Sequence, residues 1–305
     1  MGAALAPLAA RAAAARPGRW RVACRDAHLS ATGQPDCWAA MQFLGVDGVE
    51  VNVSTGMVCP NLVQAGESYR LDSPAALQRL RDDLAAHGRV ITALLMANRF
   101  DEQLDQELAW GRRVVAAAQA LGIKAVRIDV APRTTPRDQF LPVAIHACKA
   151  LCALAEGTPV RFGIENHGNT TNDPEFLARL FDGVGSTHLG LTLDTANFYW
   201  YGHPLDSLYG IYQRFASRMV HTHCKNIHYP ADRRNAPRPI GWEYERYACP
   251  LAEGDIDFHR LVTILRRAHY PGDLCVEDES LGRFPAAQRG AVLQKDVAFL
   301  RALDV

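Results

Sequence analysis

From residue 21 onward, short apolar runs alternate with stretches of helical periodicity, eight of each, and this alternation leaves few folds open. The apolar runs cover 21–28, 48–53, 90–97, 125–130, 161–166, 190–194, 219–224 and 273–277, and most are rich in Val, Ile or Leu. Helical stretches cover 36–44, 73–88, 103–121, 137–156, a segment opening at 173, 205–217, 258–269 and 285–303. Ser73-Pro74 and Asp173-Pro174 each set a capping side chain before a proline at the first helical position. Gly88, Gly122 and Gly157 supply stops. Strands separated by helices pair in parallel through right-handed crossovers. Eight such units close into a single (β/α)8 TIM barrel with none left over. An open doubly wound sheet more often carries a Gly-rich phosphate loop, and no G-x-G-x-x-G follows the first run. The expected organisation is an α/β chain with a flexible or helical N-terminal extension over 1–20 and one TIM barrel over 21–305. In the extension the arginines follow the apolar stretch, the reverse of a secretory signal.

At 305 residues the chain suits one barrel of this kind. Lys plus Arg and Asp plus Glu each number 33, so no bulk charge draws it to nucleic acid or an anionic membrane. No run approaches the ~18 apolar residues of a membrane span. Neither nucleic acid nor membrane is expected as a partner. Eight cysteines are scattered without a C-x-x-C pair, as in the reduced core of a cytoplasmic protein.

Four of the later runs end on residues that bind metals: Ile164-Glu165-Asn166-His167, Leu193-Asp194-Thr195-Ala196-Asn197, His221-Thr222-His223-Cys224-Lys225 and Cys275-Val276-Glu277-Asp278-Glu279. A strand buried on both faces has no reason to end so unless its end opens onto a site. Together they offer three carboxylates and an imidazole to a divalent cation. Each residue also has a plainer role open to it. Glu165 could bridge to a barrel arginine such as Arg127, and Asp194 could cap the next turn. His221 and His223 share a strand face at different depths, so the deeper His221 could be structural and His223 the ligand. Glu277 and Glu279 also share a face, with Glu277 favoured. Lys225 continues the histidine face and suits a substrate oxygen or an enolate.

These segments, with His223-Cys224-Lys225-Asn226, Glu253-Gly254-Asp255-Ile256-Asp257-Phe258 and Tyr270-Pro271-Gly272, resemble the xylose-isomerase-like barrel superfamily. That group comprises sugar isomerases, epimerases and keto-inositol dehydratases, related in fold to endonuclease IV. The similarity spans about 21–303. It implies a (β/α)8 barrel with one divalent cation per chain, held by Glu165, Asp194, His223 and Glu277. In the ketose 3-epimerases of the family two glutamates also move the proton, which carries over to Glu165 and Glu277. Where those enzymes commonly have a histidine three residues after the strand-six aspartate, this chain has Asn197.

The ligand set is hard enough for Mn²⁺, the favoured ion, and for Mg²⁺ or Co²⁺, and tolerates Zn²⁺. A hydroxy-ketone chelated by such an ion loses its α-proton to an enediolate. Return of the proton gives epimerisation or isomerisation, and loss of a β-hydroxyl gives dehydration. The expected activity is a metal-dependent isomerase or epimerase on a sugar-like hydroxy-ketone, with a lyase on a keto-sugar or keto-inositol as the alternative. The expected partner is a small-molecule carbohydrate. Asn52, Asn98, His167, Asn197, Lys225 and Arg246 are the polar groups for it, and Trp242 or Phe198 the aromatic wall. The connection 227–255, rich in Pro, Gly and aromatics, reads as an ordered lid after strand seven. Tyr199, Trp200 and Tyr201 suit rim packing or a homo-oligomer contact.

Overall fold

The structure, a computed structural model, describes residues 19–303. The expected extension over 1–20 therefore lies outside the described residues except for Arg19 and Trp20. Trp20 packs on the barrel, its indole N–H donating to the Tyr270 carbonyl at 2.8 Å. Eight strands carry the fold: β1 (Arg21–Arg25), β2 (Gly48–Asn52), β3 (Val90–Met96), β4 (Ala125–Ile128), β5 (Arg161–Glu165), β6 (Leu189–Asp194), β7 (Met219–His223) and β8 (Asp273–Val276). From β1 to β7 each strand pairs in parallel with the next, and β8 pairs with β1. The β7–β8 seam closes through a bridge just beyond β7, where Cys224 N–H donates to the Cys275 carbonyl at 2.7 Å and Glu277 N–H to the Cys224 carbonyl at 3.0 Å. The chain forms the expected (β/α)8 barrel.

Helices α1 (Cys37–Leu44), α2 (Pro74–His87), α3 (Leu104–Leu121), α4 (Phe140–Ala153), α5 (Pro174–Val184), α6 (Leu205–Phe215), α7 (Phe258–Arg267) and α8 (Ala286–Ala302) follow the strands in turn. Four of the eight starts are capped by a side chain: Asp36, Ser73, Asp173 and Asp257 each accept from backbone N–H of the first turn. The main core lies between strands and helices, where Val, Leu, Ile and Phe side chains interdigitate. Inside the barrel, small residues make room. A Cβ at Gly163 would stand 2.4 Å from Thr192 Oγ1, so only glycine lets β5 and β6 come this close beneath Glu165.

Two additions decorate the barrel. An antiparallel hairpin (Val58–Gln64 with Glu67–Arg70) fills the β2–α2 connection. After β7, Asn226–Ile227 pairs with Ala248–Cys249 and ties down the long connection at both ends, so the expected lid is ordered. Among the described residues no helix is long and apolar enough to cross a membrane, and all eight cysteines are buried and unpaired.

Candidate metal centre and substrate cavity

Glu165, Asp194 and His223 close β5, β6 and β7, and Glu277 directly follows β8. Strand alternation turns all four toward the barrel axis. One donor atom from each lies within 4.8 Å of the others, and all four residues are buried. Asp194 Oδ2, His223 Nδ1 and Glu277 Oε2 have no hydrogen-bond partner. Such atoms are costly to bury unpaired, and a divalent cation among them would satisfy all three. The histidine ring is turned to suit this. Its Nε2 faces the two Glu50 oxygens at 3.0 and 2.9 Å. An ionised carboxylate only accepts, so Nε2 carries the hydrogen. That leaves Nδ1 directed at Glu277 Oε2 (3.1 Å) and Glu165 Oε1 (3.4 Å).

Cationic side chains frame this cluster. Arg127 pairs with Glu165, and Arg25 with Glu277 and, at 3.2 Å, with Glu50. Lys225 Nζ stands 2.9 Å from Asp194 Oδ2, without hydrogen-bond geometry, 3.2 Å from Glu277 and 3.1 Å from Glu279. Burial alone would push both glutamates up. Arg127 and His223 nevertheless hold Glu165 well below the usual carboxylate range, and His223, Lys225 and Arg25 do the same for Glu277. Asp194 goes the other way: burial pushes it up to about 7, against the pull of Lys225.

The plainer roles turn out to coexist with the cluster. Glu165 does bridge to Arg127 through one oxygen while the other faces His223. Asp194 Oδ1 does cap the following turn, accepting from Ala196 N–H (2.8 Å) and Asn197 N–H (2.9 Å), while Oδ2 faces inward. His221 lies outside the four-residue group, its Nδ1 2.6 Å from Asp273 Oδ1.

Above the cluster opens a cavity of about 390 Å³ that reaches Glu165, Glu277, His167, Asn197, Lys225 and Tyr244. His167 stands at its rim with Nδ1 3.4 Å from the buried Asp129 carboxylate, which raises the imidazole pKa against the effect of burial. Asn197 Nδ2 donates to the Asn166 carbonyl at 2.9 Å and lies 3.4 Å from Glu165 Oε1. Five of the expected substrate residues are placed elsewhere. Trp242 is not in the lining but packs on Tyr229 and Tyr247, and Arg246 is exposed and pairs with Glu243 at 3.1 Å. The lid instead sends in Tyr244, whose hydroxyl donates to Glu279. Phe198 is buried against Tyr212, and the aromatic wall is Trp200. Asn98 is buried with its amide donating to Glu107 at 2.7 Å, and Asn52 also lies outside the lining. Sequence reasoning passed over Glu50, Arg25 and Asp129. Glu50 carried a usable signal, a carboxylate inside the apolar run Gly48-Val49-Glu50-Val51.

The sequence profile of the xylose isomerase-like TIM barrel family matches residues 38–303. No curated protein matches the sequence. Among solved structures, the IolI protein with a bound zinc atom is 17% identical, with 92% of this chain and 97% of that one covered at a TM-score of 0.67. A Mycobacterium smegmatis xylose isomerase-like TIM barrel protein in complex with magnesium is 16% identical, covering 94% and 98% at 0.65. L-ribulose 3-epimerase is 16% identical, covering 93% and 94% at 0.65. At these identities the structures speak for the fold, and the profile match over nearly the whole barrel speaks for kinship. The chain belongs to the xylose isomerase-like TIM barrel family.

Proposed function

We propose that this protein is a divalent-metal-dependent isomerase or epimerase acting on a sugar-like hydroxy-ketone. The observation that carries this reading is the buried Glu165–Asp194–His223–Glu277 cluster, with three inward donor atoms unpaired, at the floor of a polar cavity. A cation held there supplies Lewis acidity, polarising a substrate carbonyl and stabilising the enediolate left by loss of the α-proton. Glu165 and Glu277, both held ionised, approach the cavity from β5 and β8. One removes the proton and the other returns it. Arg127 and Arg25 fix these carboxylates in place. Lys225 stabilises charge on substrate oxygen. Asn197, His167, Trp200 and Tyr244 surround the rest of a small carbohydrate. The zinc and magnesium of related barrels agree with an ion of this type, and Mn²⁺ suits the donors equally.

The test is α-proton exchange. Mn²⁺-loaded protein is incubated with free ketoses, keto-glycosides and keto-inositols in D₂O, and deuterium is read by mass. Glu165→Gln and Glu277→Gln should each suppress exchange by ~10²-fold or more, the usual contribution of a general base. Exchange unchanged in both variants overturns the mechanism. The Asp129–His167 pair favours one second reading, because it offers a proton to a departing β-hydroxyl from outside the ligand set. A product lighter by one water would make the protein a dehydratase with the same enolising step.

A further inference from the structure

Beneath the four-residue cluster the barrel interior holds more ionisable groups than the proposed chemistry uses. Glu50 on β2, His221 on β7 and Asp273 on β8 are each 4% exposed or less. They come from three separate strands and meet on the axis. Asp273 Oδ1 accepts from His221 Nδ1–H at 2.6 Å. The other nitrogen of His221 lies 3.2 Å from Glu50 Oε1 as an ion pair. Glu50 in turn accepts from His223 Nε2–H. The two imidazoles stand edge to face, 5.3 Å apart at 86°. Both ends of the chain are anchored. Arg25 Nε grips Glu50 at 3.2 Å, and the Asp273 backbone is held through its carbonyl by Thr222 Oγ1 at 2.8 Å and by the Tyr270 hydroxyl at 2.9 Å.

Apolar side chains would fill this space without the desolvation cost of buried charge, so stability alone does not account for the arrangement. What the chain does control is the orientation of one ring. Without an acceptor at Nε2, His223 is free to rotate or to take the other tautomer, and Nδ1 would lose its aim at Glu165 and Glu277. We propose that Asp273, His221 and Glu50 form a buried positioning chain that fixes His223 with Nε2–H on Glu50 and Nδ1 toward the cation. The inference rests on the metal-centre reading above. Glu50 and His221 also come near enough to His223 to form a ligand group of their own. His223 Nε2 is already engaged as a donor to Glu50, however, and this favours a supporting role for Glu50 over direct ligation.

The test is Co²⁺ titration of the metal-free full-length protein against a competing chelator, with the visible Co²⁺ absorption followed alongside. Wild type should bind one Co²⁺ per chain. Glu50→Gln should lower affinity by about 10- to 100-fold, the range for loss of an outer-shell carboxylate, and shift the absorption bands. Asp273→Asn, which touches no ligand, should lower affinity by a smaller factor in wild type and by none in the Glu50→Gln background, because the two act through one chain. Unfolding midpoints of the metal-free forms separate this from general destabilisation. If Glu50→Gln does not fold, Glu50→Asp and Asp273→Asn carry the same comparison. Unchanged affinity and spectrum in folded variants overturns the chain while leaving the metal centre standing. Two Co²⁺ per wild-type chain, with one lost in Glu50→Gln, makes Glu50 a ligand and overturns it too. A wild type that binds no Co²⁺ overturns both the chain and the metal reading.

Discussion

Lys225 Nζ and a divalent cation want the same oxygens. The ammonium lies 2.9 Å from Asp194 Oδ2 and 3.2 Å from Glu277 Oε2, and both oxygens belong to the proposed ligand set. Removing the ammonium should therefore leave metal affinity equal or higher, because a competing positive charge has gone. Turnover should fall by ~10²-fold, the scale for losing one donor to a developing oxyanion. Calorimetric metal titration of Lys225→Met beside its kinetics gives both readouts; weaker metal binding with undiminished turnover would make Lys225 purely structural. The four residues of the buried cluster stood out in the sequence because a charged residue that ends a buried apolar strand needs a site or a partner to offset its desolvation. Glu50 was not found, since it lies within its run and not at the end. Arg25 was hidden for a related reason: a basic residue at a strand end is ordinary until its carboxylate partners, far along the chain, are known.

Between its paired ends the long connection is anchored by the side chain of Arg238. Arg238 is 8% exposed and donates to five backbone carbonyls, those of Arg233, Arg234, Ala236, Tyr199 and His203. Its guanidinium also lies 4.4 Å from the ring centres of both Tyr199 and Tyr229. Gly202 makes room for this, since its φ is +114° and a Cβ there would stand 2.1 Å from the Arg238 carbonyl. Arg238→Met should cost about 3 kcal/mol, as several buried carbonyls lose a charged donor together. Hydrogen exchange should quicken across 228–247 and leave α2 to α5 unaffected; uniform quickening would deny the lid its separate anchor. That the segment is ordered was legible from its composition. Which aromatic faces the cavity was not, because an irregular loop has no period to fix its phase, and Tyr244 took the place given to Trp242. The hairpin after β2 escaped for another reason. Its turn, Ala65-Gly66, has positive φ at both residues (51° and 80°), yet lacks the Asn-Gly or Asp-Gly signature of such turns.

At the scale of the whole barrel, the β7–β8 seam and the four-residue cluster are one structure. The seam closes through a bridge at Cys224, and His223 and Glu277 stand on either side of it. A cation shared by these two residues would join the strands where pairing is sparse, so it should stabilise the entire fold. Mn²⁺ at about 100 times its Kd should add ~2.7 kcal/mol to unfolding stability, and chelation should remove it; a melting curve indifferent to Mn²⁺ would separate site from seam. Behind β8 a second pair of carboxylates gives the molecule a pH dependence of its own. Asp296 is 1% exposed, accepts from Leu251 N–H at 2.8 Å and sits beside Asp278; each aspartate has one oxygen without a partner. Burial, then the Asp278 charge, raises Asp296 to about 9. Its unfolded value is the ordinary one near ~4. Between these limits Asp296 is protonated in the native state and ionised in the unfolded chain, so its own contribution to stability falls as pH rises from ~4 toward ~9, by up to ~1.4 kcal/mol per pH unit. Asp296→Asn mimics the protonated acid, with its carbonyl still accepting from Leu251 and its amide free to donate to Asp278. Urea unfolding at pH 5, 7 and 8.5 should show the variant losing less stability than wild type as pH rises, with the gap widening in its favour. Parallel profiles would mean that Asp296 is ionised in the folded barrel and that the pair shares no proton.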